Sequence, residues 1–184
     1  MLLFWLVGAY NRLVRLRADA SRAFAALDAH LVRLLVWVQS CLPESLDDDV
    51  YPAPQPTDDQ AASWRRLSAA SEQFASALAQ ARAGPLESAA VAGLLTAYEV
   101  LSSVWGSAVV AGREADNPVV AERRQARYAR LQHQAIPLAL AFNQAVRTYN
   151  QAVSGFPALL VARLFGFRPA TALSGVAVST VRVA

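Results

Sequence analysis

At 184 residues the chain is a size that a single hydrophobic core can serve, and its 55% apolar content is too low for a protein that crosses a membrane many times. It has no lysine and a single cysteine, Cys41, which excludes an internal disulfide and leaves the guanidinium as the dominant cation, able to fork onto a carboxylate or phosphate. The net charge of +3 is unevenly spread: residues 43–59 hold six acids and no base, while residues 113–184 hold nine arginines against three acids, a balance that suits an anionic surface.

Residues 1–9 form an apolar run, Met-Leu-Leu-Phe-Trp-Leu-Val-Gly-Ala. As helix it covers about 14 Å, under half of a bilayer core. No base precedes it and Val7-Gly8-Ala9 is a poor cleavage site, so it does not read as a secretory signal. Three accounts stay open: a start placed downstream of the true one, a shallow insertion into one leaflet, or an apolar end packed on the protein. Arg12, Arg15 and Arg17 follow directly, and the positive-inside rule then puts the rest of the chain on the cytoplasmic side.

A long helix is predicted from about Leu3 to Leu42. Leu13, Leu16, Ala20, Ala23, Leu27, Leu31, Leu34 and Val38 recur at three- and four-residue steps, the pattern of one buried stripe. Pro43 ends it, and residues 43–59, with four prolines and six acids, read as a loop. That loop is long for a bundle connection, which suits either a solvated tether or a binding determinant. The second helix starts at the Asp58-Asp59 cap region and runs to Ala83 with Trp64, Leu67, Ala70, Phe74, Ala77, Leu78 and Ala81 inward. Gly84-Pro85 reads as a stop followed by a start, so the third helix is expected from Pro85 to about Val110.

After a turn from Gly112 to Pro118, the fourth helix is predicted from Pro118 to about Ser154. Tyr128, Leu131, Ala135, Leu138, Phe142, Ala145, Tyr149 and Val153 line its buried face, and Pro137 is expected to kink it. Gly155-Phe156-Pro157 closes this helix and opens a short one over 158–165. The tail from Arg168 is expected to lie extended along the molecule or to be disordered. The elements specify an all-α fold: an elongated, antiparallel four-helix bundle with a short C-terminal helix and an extended tail. Its organisation is an apolar segment at 1–9, a bundle at 10–167 and a tail at 168–184.

Two blocks carry a family resemblance. The first is Tyr10-Asn11-Arg-Leu-Val-Arg-Leu-Arg17, with Leu27-Asp28 and Leu31-x-Arg33 further on. The second runs from Phe142-Asn143 through Tyr149-Asn150 to Gly155-Phe156-Pro157 and Phe165-Gly166-Phe167. Together they resemble the LemA family of membrane-associated bacterial helical proteins. The resemblance implies the bundle architecture, a spanning helix just before Tyr10-Asn11 and residence at the bacterial inner membrane. It implies no reaction, since the family has no well-defined one. The chain departs from the family pattern at residues 36–42, which are apolar where the family has a charged stretch with Asp-Leu-Ile-Pro-Asn, and at Gln132-His133 and Ala139. The far end of the bundle has therefore lost the family's charged and amide groups.

The candidate interaction residues are Tyr10, Asn11, Asp28, Phe142, Asn143, Tyr149, Asn150, Phe156 and Pro157. Phe142 and Tyr149 share a face two turns apart, and Asn143 and Asn150 form an adjacent polar row. The rings are expected to pack in the bundle, with the amides bonding across helices to fix register. Asp28 is expected to pair with an arginine of the fourth helix or to be solvated. Arg123, Arg127 and Arg130 share a face beside Arg124, either solvated or set against anionic lipid or an acidic partner.

His30 and His133 would face each other across antiparallel first and fourth helices. A metal site needs three or four ligands, and only Cys41 offers another, so no metal or cofactor is predicted. Cys41 reads as an inert core thiol. No phosphate loop, nucleophile elbow or zinc helix is present, so no enzyme activity and no small-molecule substrate is predicted. No motif for nucleic acid appears either. The reading is a non-catalytic scaffold or interaction module that meets the membrane through its N-terminal segment. The alternatives are a soluble adaptor that binds a protein through the acidic loop, and a bundle enzyme built on the two histidines.

Overall fold

The computed structural model describes residues 2–42, 58–115, 118–156 and 158–173. The acidic stretch from 43 to 57, Pro157 and the tail beyond 173 lie outside the described residues. The described residues form five helices: α1 (Leu2–Ser40), α2 (Asp58–Ala83), α3 (Ser88–Ala115), α4 (Pro118–Ser154) and α5 (Ala158–Phe165). The four long helices pack antiparallel, with α1 against α4 and α2 against α3 as the two close pairs.

The apolar stripes close one continuous core. Leu13, Leu27, Leu34 and Val38 of α1, Leu67 and Phe74 of α2, Leu101 of α3, and Ala135, Phe142 and Val146 of α4 are fully shielded from solvent. At roughly 1.5–3 kcal/mol for each large apolar side chain, this burial is the main term opposing the chain's conformational entropy. An aromatic cluster joins three helices toward the end of α1. Trp105 stacks on Tyr128 at 4.7 Å, and Trp37 leans on both. Trp105 Nε1 donates to Gln125 Oε1 at 3.1 Å and Tyr128 Oη to Ser102 Oγ at 3.1 Å, so the polar tips of both rings are satisfied.

Two boundaries differ from the sequence reading. Pro85 does not begin α3. It sits in a tight turn in which the Glu87 N–H donates to the Gly84 carbonyl at 2.9 Å, and α3 starts at Ser88. A proline pre-sets φ as well for the second position of a β-turn as for a helix start, and the turn wins here. α3 also continues to Ala115, past the predicted Val110. α4 runs unbroken through Pro137, whose ring is on the exposed face; there the His133 carbonyl, which loses its helical donor, is within reach of water.

The register between α1 and α4 fixes the shape of one end. Trp37 meets Tyr128, His30 meets Leu131 and Phe24 meets Phe142. By that register Ser154, the last residue of α4, stands beside about residue 9 of α1. The first turns of α1 therefore project beyond α4 and pack on α5 instead. α5 ends on a left-handed Gly166 (φ +73°), and the Phe167 N–H donates back to the Ala162 carbonyl at 2.9 Å. This is the Schellman closure that a C-terminal glycine allows, and it sends the chain back along α4.

Candidate functional site

The aromatic-amide row of α4 holds the returning chain. Phe142 and Tyr149 are buried as predicted, and Phe142 meets the Phe24 ring edge-on at 5.5 Å. The amides do not bond across helices. They bond to the backbone of an extended segment, residues 168–173. Asn150 Nδ2 donates to the Ala170 carbonyl at 2.7 Å, and its Oδ1 accepts from the Ala170 N–H at 2.8 Å. Asn143 repeats the pattern with Leu173, at 2.9 Å to the carbonyl and 2.6 Å from the N–H. Tyr149 Oη donates to the Arg168 carbonyl at 3.0 Å.

The spacing explains the fit. Seven residues of helix rise about 10.5 Å, and three residues of extended chain advance about 9–10 Å. Amides at i and i+7 thus match backbone units at i and i+3. A flat strand would turn the second unit away, so presenting both to one side needs the three-fold twist of a polyproline-like chain. Pro169 sits in the segment, and Ala170 and Leu173 are buried beneath it. The segment also reaches α3, where Thr171 Oγ1 donates to Ser88 Oγ at 2.7 Å.

The projecting end is apolar and aromatic. Trp5 lies 6.5 Å from Phe156, and Tyr10 lies 4.9 Å from Phe165 and 5.9 Å from Phe167. The first and second sequence blocks therefore meet at one pole of the bundle. Much of this surface is open to solvent. Phe4 and Phe156 are each 83% exposed and Leu164 71%, and Val7, Leu160 and Phe165 are each more than half exposed. Arg12, Arg15 and Arg17 of α1, Arg163 of α5 and Arg168 just after it are near it along the chain, all exposed. Asn11 is exposed among them, and its amide has no hydrogen bond among the described residues.

The other predicted residues lie elsewhere. Asp28 pairs with α2 rather than with α4. Arg82, in the last turn of α2, forks onto it with contacts of 2.9, 3.1 and 3.3 Å. That pair fastens α1 to α2, and Arg82 stays exposed enough for water to weaken it. His30 is buried and donates through Nε2 to the Leu131 carbonyl at 2.8 Å, whereas His133 is on the exposed face of α4. The two rings do not converge, which removes the histidine-pair site. Among the described residues no three His, Cys, Asp or Glu side chains gather as a metal site would require. Burial pushes the Cys41 thiol up, with Arg124 and Ser40 pulling against it, so it is held in its unreactive form.

Arg123, Arg127 and Arg130 are exposed and Arg124 half-buried. They are at the opposite pole, about 40 Å along α4 from the aromatic end. One flat surface cannot touch both. Beyond the tip, α3 carries a stretch, Ser88–Val109, apolar and long enough by composition to cross a membrane, and one third of it is buried in the bundle.

Comparison with known protein families, curated proteins and solved structures finds no match to this chain.

Proposed function

We propose that this protein is a non-catalytic, LemA-like scaffold or interaction module of the bacterial cell envelope, seated on the cytoplasmic face of the inner membrane by its aromatic end. The observation that carries the reading is the exposed apolar pole formed by α1 and α5. Phe4, Val7, Phe156, Leu160, Leu164 and Phe165 lie in the open there, with five exposed arginines near them along the chain. Water-exposed aromatic surface is costly for a monomer to maintain, and it usually marks a partner. Here the rim chemistry selects that partner. Trp and Tyr suit the headgroup level, and guanidinium groups suit anionic lipid. The meeting of Tyr10 with Phe165 and Phe167 supports the LemA resemblance, because it joins its two blocks. The membrane is the partner proposed, with no nucleic acid and no reaction.

Flotation of the purified full chain with vesicles tests this reading. It should rise with vesicles of anionic phospholipid and less with neutral ones. The combined Phe4→Ser, Phe156→Ser and Leu164→Ser variant should stay at the bottom while keeping its helical circular dichroism. A wild-type protein that ignores both vesicle types would overturn the proposal.

A further inference from the structure

Beside the apolar pole lies a cavity of about 510 Å³, a volume typical of small-ligand sites. Four separate parts of the chain build it. α1 supplies Arg17, the turn into α3 and its first residues supply Glu87, Ser88 and Ala89, α4 supplies Tyr149, and the chain after α5 supplies Phe167, Arg168 and Pro169. Among the described residues neither the Arg17 nor the Arg168 guanidinium has a hydrogen bond or ion pair. The two guanidinium groups are thus free to fork onto a shared anion. Arg168 is not loosely placed. Its carbonyl is held by Tyr149, and its neighbour Ala170 is held at both backbone atoms by Asn150.

The wall facing the anion is also a donor. Ser88, Ala89 and Ala90 form the first turn of α3, ahead of the bond from the Val91 N–H to the Glu87 carbonyl at 3.0 Å, so their N–H groups have no helical acceptor. Ser88 Oγ accepts from Thr171, which leaves its own proton to donate. One wall group carries the opposite charge. The Glu87 side chain folds back over Gly84, so tightly that a Cβ there would fall 2.7 Å from Glu87 Cδ. Two cations and one carboxylate around one cavity match a ligand with a phosphate and an amine.

We propose that this cavity binds a phosphate ester carrying a primary ammonium group, with the phosphate on Arg17, Arg168 and Ser88 and the ammonium on Glu87. Such chemistry occurs in a phosphoethanolamine lipid headgroup and in the free glycerophospho-compound. The cavity wall continues through Gly166 and Phe167 into the exposed tip, so a headgroup could enter it from a membrane on which the tip is seated. The site itself does not depend on that seating.

The test is calorimetric titration of glycerophosphoethanolamine into the full chain. Saturable one-to-one binding is expected, weakened about tenfold or more in the Arg17→Gln, Arg168→Gln double variant, as losing charge-assisted bonds requires. Arg17→Lys with Arg168→Lys should recover only part of it, since lysine keeps the charge and loses the fork. Glu87→Gln should abolish any preference over glycerol phosphate. All these positions are exposed, and the melting temperature of each variant should confirm an intact fold. Vesicle flotation separates the sources: enhancement by phosphatidylethanolamine over phosphatidylcholine, lost in the double glutamine variant, marks the lipid, and titration without such enhancement marks the free ester. No saturable binding, or binding unchanged by the double glutamine variant, overturns the proposal. Failure of flotation alone sinks the membrane reading and leaves the cavity standing.

Discussion

Asn143 and Asn150 each spend a whole side-chain amide on the backbone of one residue, and all four hydrogen bonds go to main-chain atoms. Such a contact reads main chain only, so the sequence of residues 170–173 matters less than its extended shape. Asn143 is buried, and truncating it would strand the Leu173 N–H and carbonyl away from water. Asn143→Ala should therefore cost about 1–3 kcal/mol, measured by chemical denaturation. Hydrogen exchange should show the Ala170 and Leu173 amides losing protection in Asn150→Ala and Asn143→Ala respectively. Unchanged protection would mean that the segment is held by its side chains instead. The glycine that turns the chain toward these amides makes a second prediction. A Cβ at Gly166 meets no atom, so Gly166→Ala should cost only the left-handed backbone term, roughly 1–2 kcal/mol in the same assay.

At the scale of the elements, α3 and α4 are joined by phenols whose burial sets a pH limit. Burial pushes Tyr98 and Tyr128 up from the ordinary value of 10.0, and the hydrogen bond from Tyr128 to Ser102 only partly offsets it. The Tyr98 hydroxyl is sealed from solvent without a partner in good geometry, although Ser102 and Gln132 lie close enough to bear on its ionisation. The unfolded chain releases these protons near pH 10 and the folded one holds them. Stability should stay full below pH 10 and fall as pH rises above it, by up to about 1.4 kcal/mol per unit for Tyr128 and in the same direction for Tyr98. Denaturation at pH 8, 10 and 11 checks this, and Tyr128→Phe should flatten the slope above pH 10.

The helices themselves were legible because their stripes are long and regular. Leu13 through Val38 in α1 and Tyr128 through Val153 in α4 named the buried faces almost residue by residue. The misreadings lie where two local rules compete. Pro85 satisfies a turn as well as a helix start. The amides of α4 looked like register locks because helix-to-helix bonding is the usual fate of a buried polar row, while the tail's role as acceptor depends on a reversal at Gly166. The clue that was present was the match of a seven-residue amide spacing to three residues of non-helical chain beginning at Pro169.

For the whole molecule, the two poles have opposite characters. One stacks Trp105 on Tyr128 inside the bundle with Trp37 leaning on them, and carries Arg123, Arg127 and Arg130 on its surface. The other leaves its aromatic residues outside, with exposed arginines near them along the chain. The pairing of blocks near Tyr10 and Tyr149 was readable from an antiparallel register. That α1 projects past α4 onto α5 was not, since it depends on where α4 stops relative to its partner. Charge counts alone do not show how the described C-terminal arginines are divided: Arg123, Arg127 and Arg130 are about 40 Å along the bundle from Arg163 and Arg168.

The central claim is that the exposed pole enters a lipid surface. Trp5 is at that pole, 42% exposed, whereas Trp64 and Trp105 are buried and Trp37 packs against Trp105 at the other pole. Tryptophan fluorescence of the full chain on vesicles containing brominated acyl chains therefore isolates one reporter. Part of the emission should be quenched, and Trp5→Phe should abolish that quenching. Emission indifferent to brominated lipid, or quenching that survives in Trp5→Phe, would contradict the account.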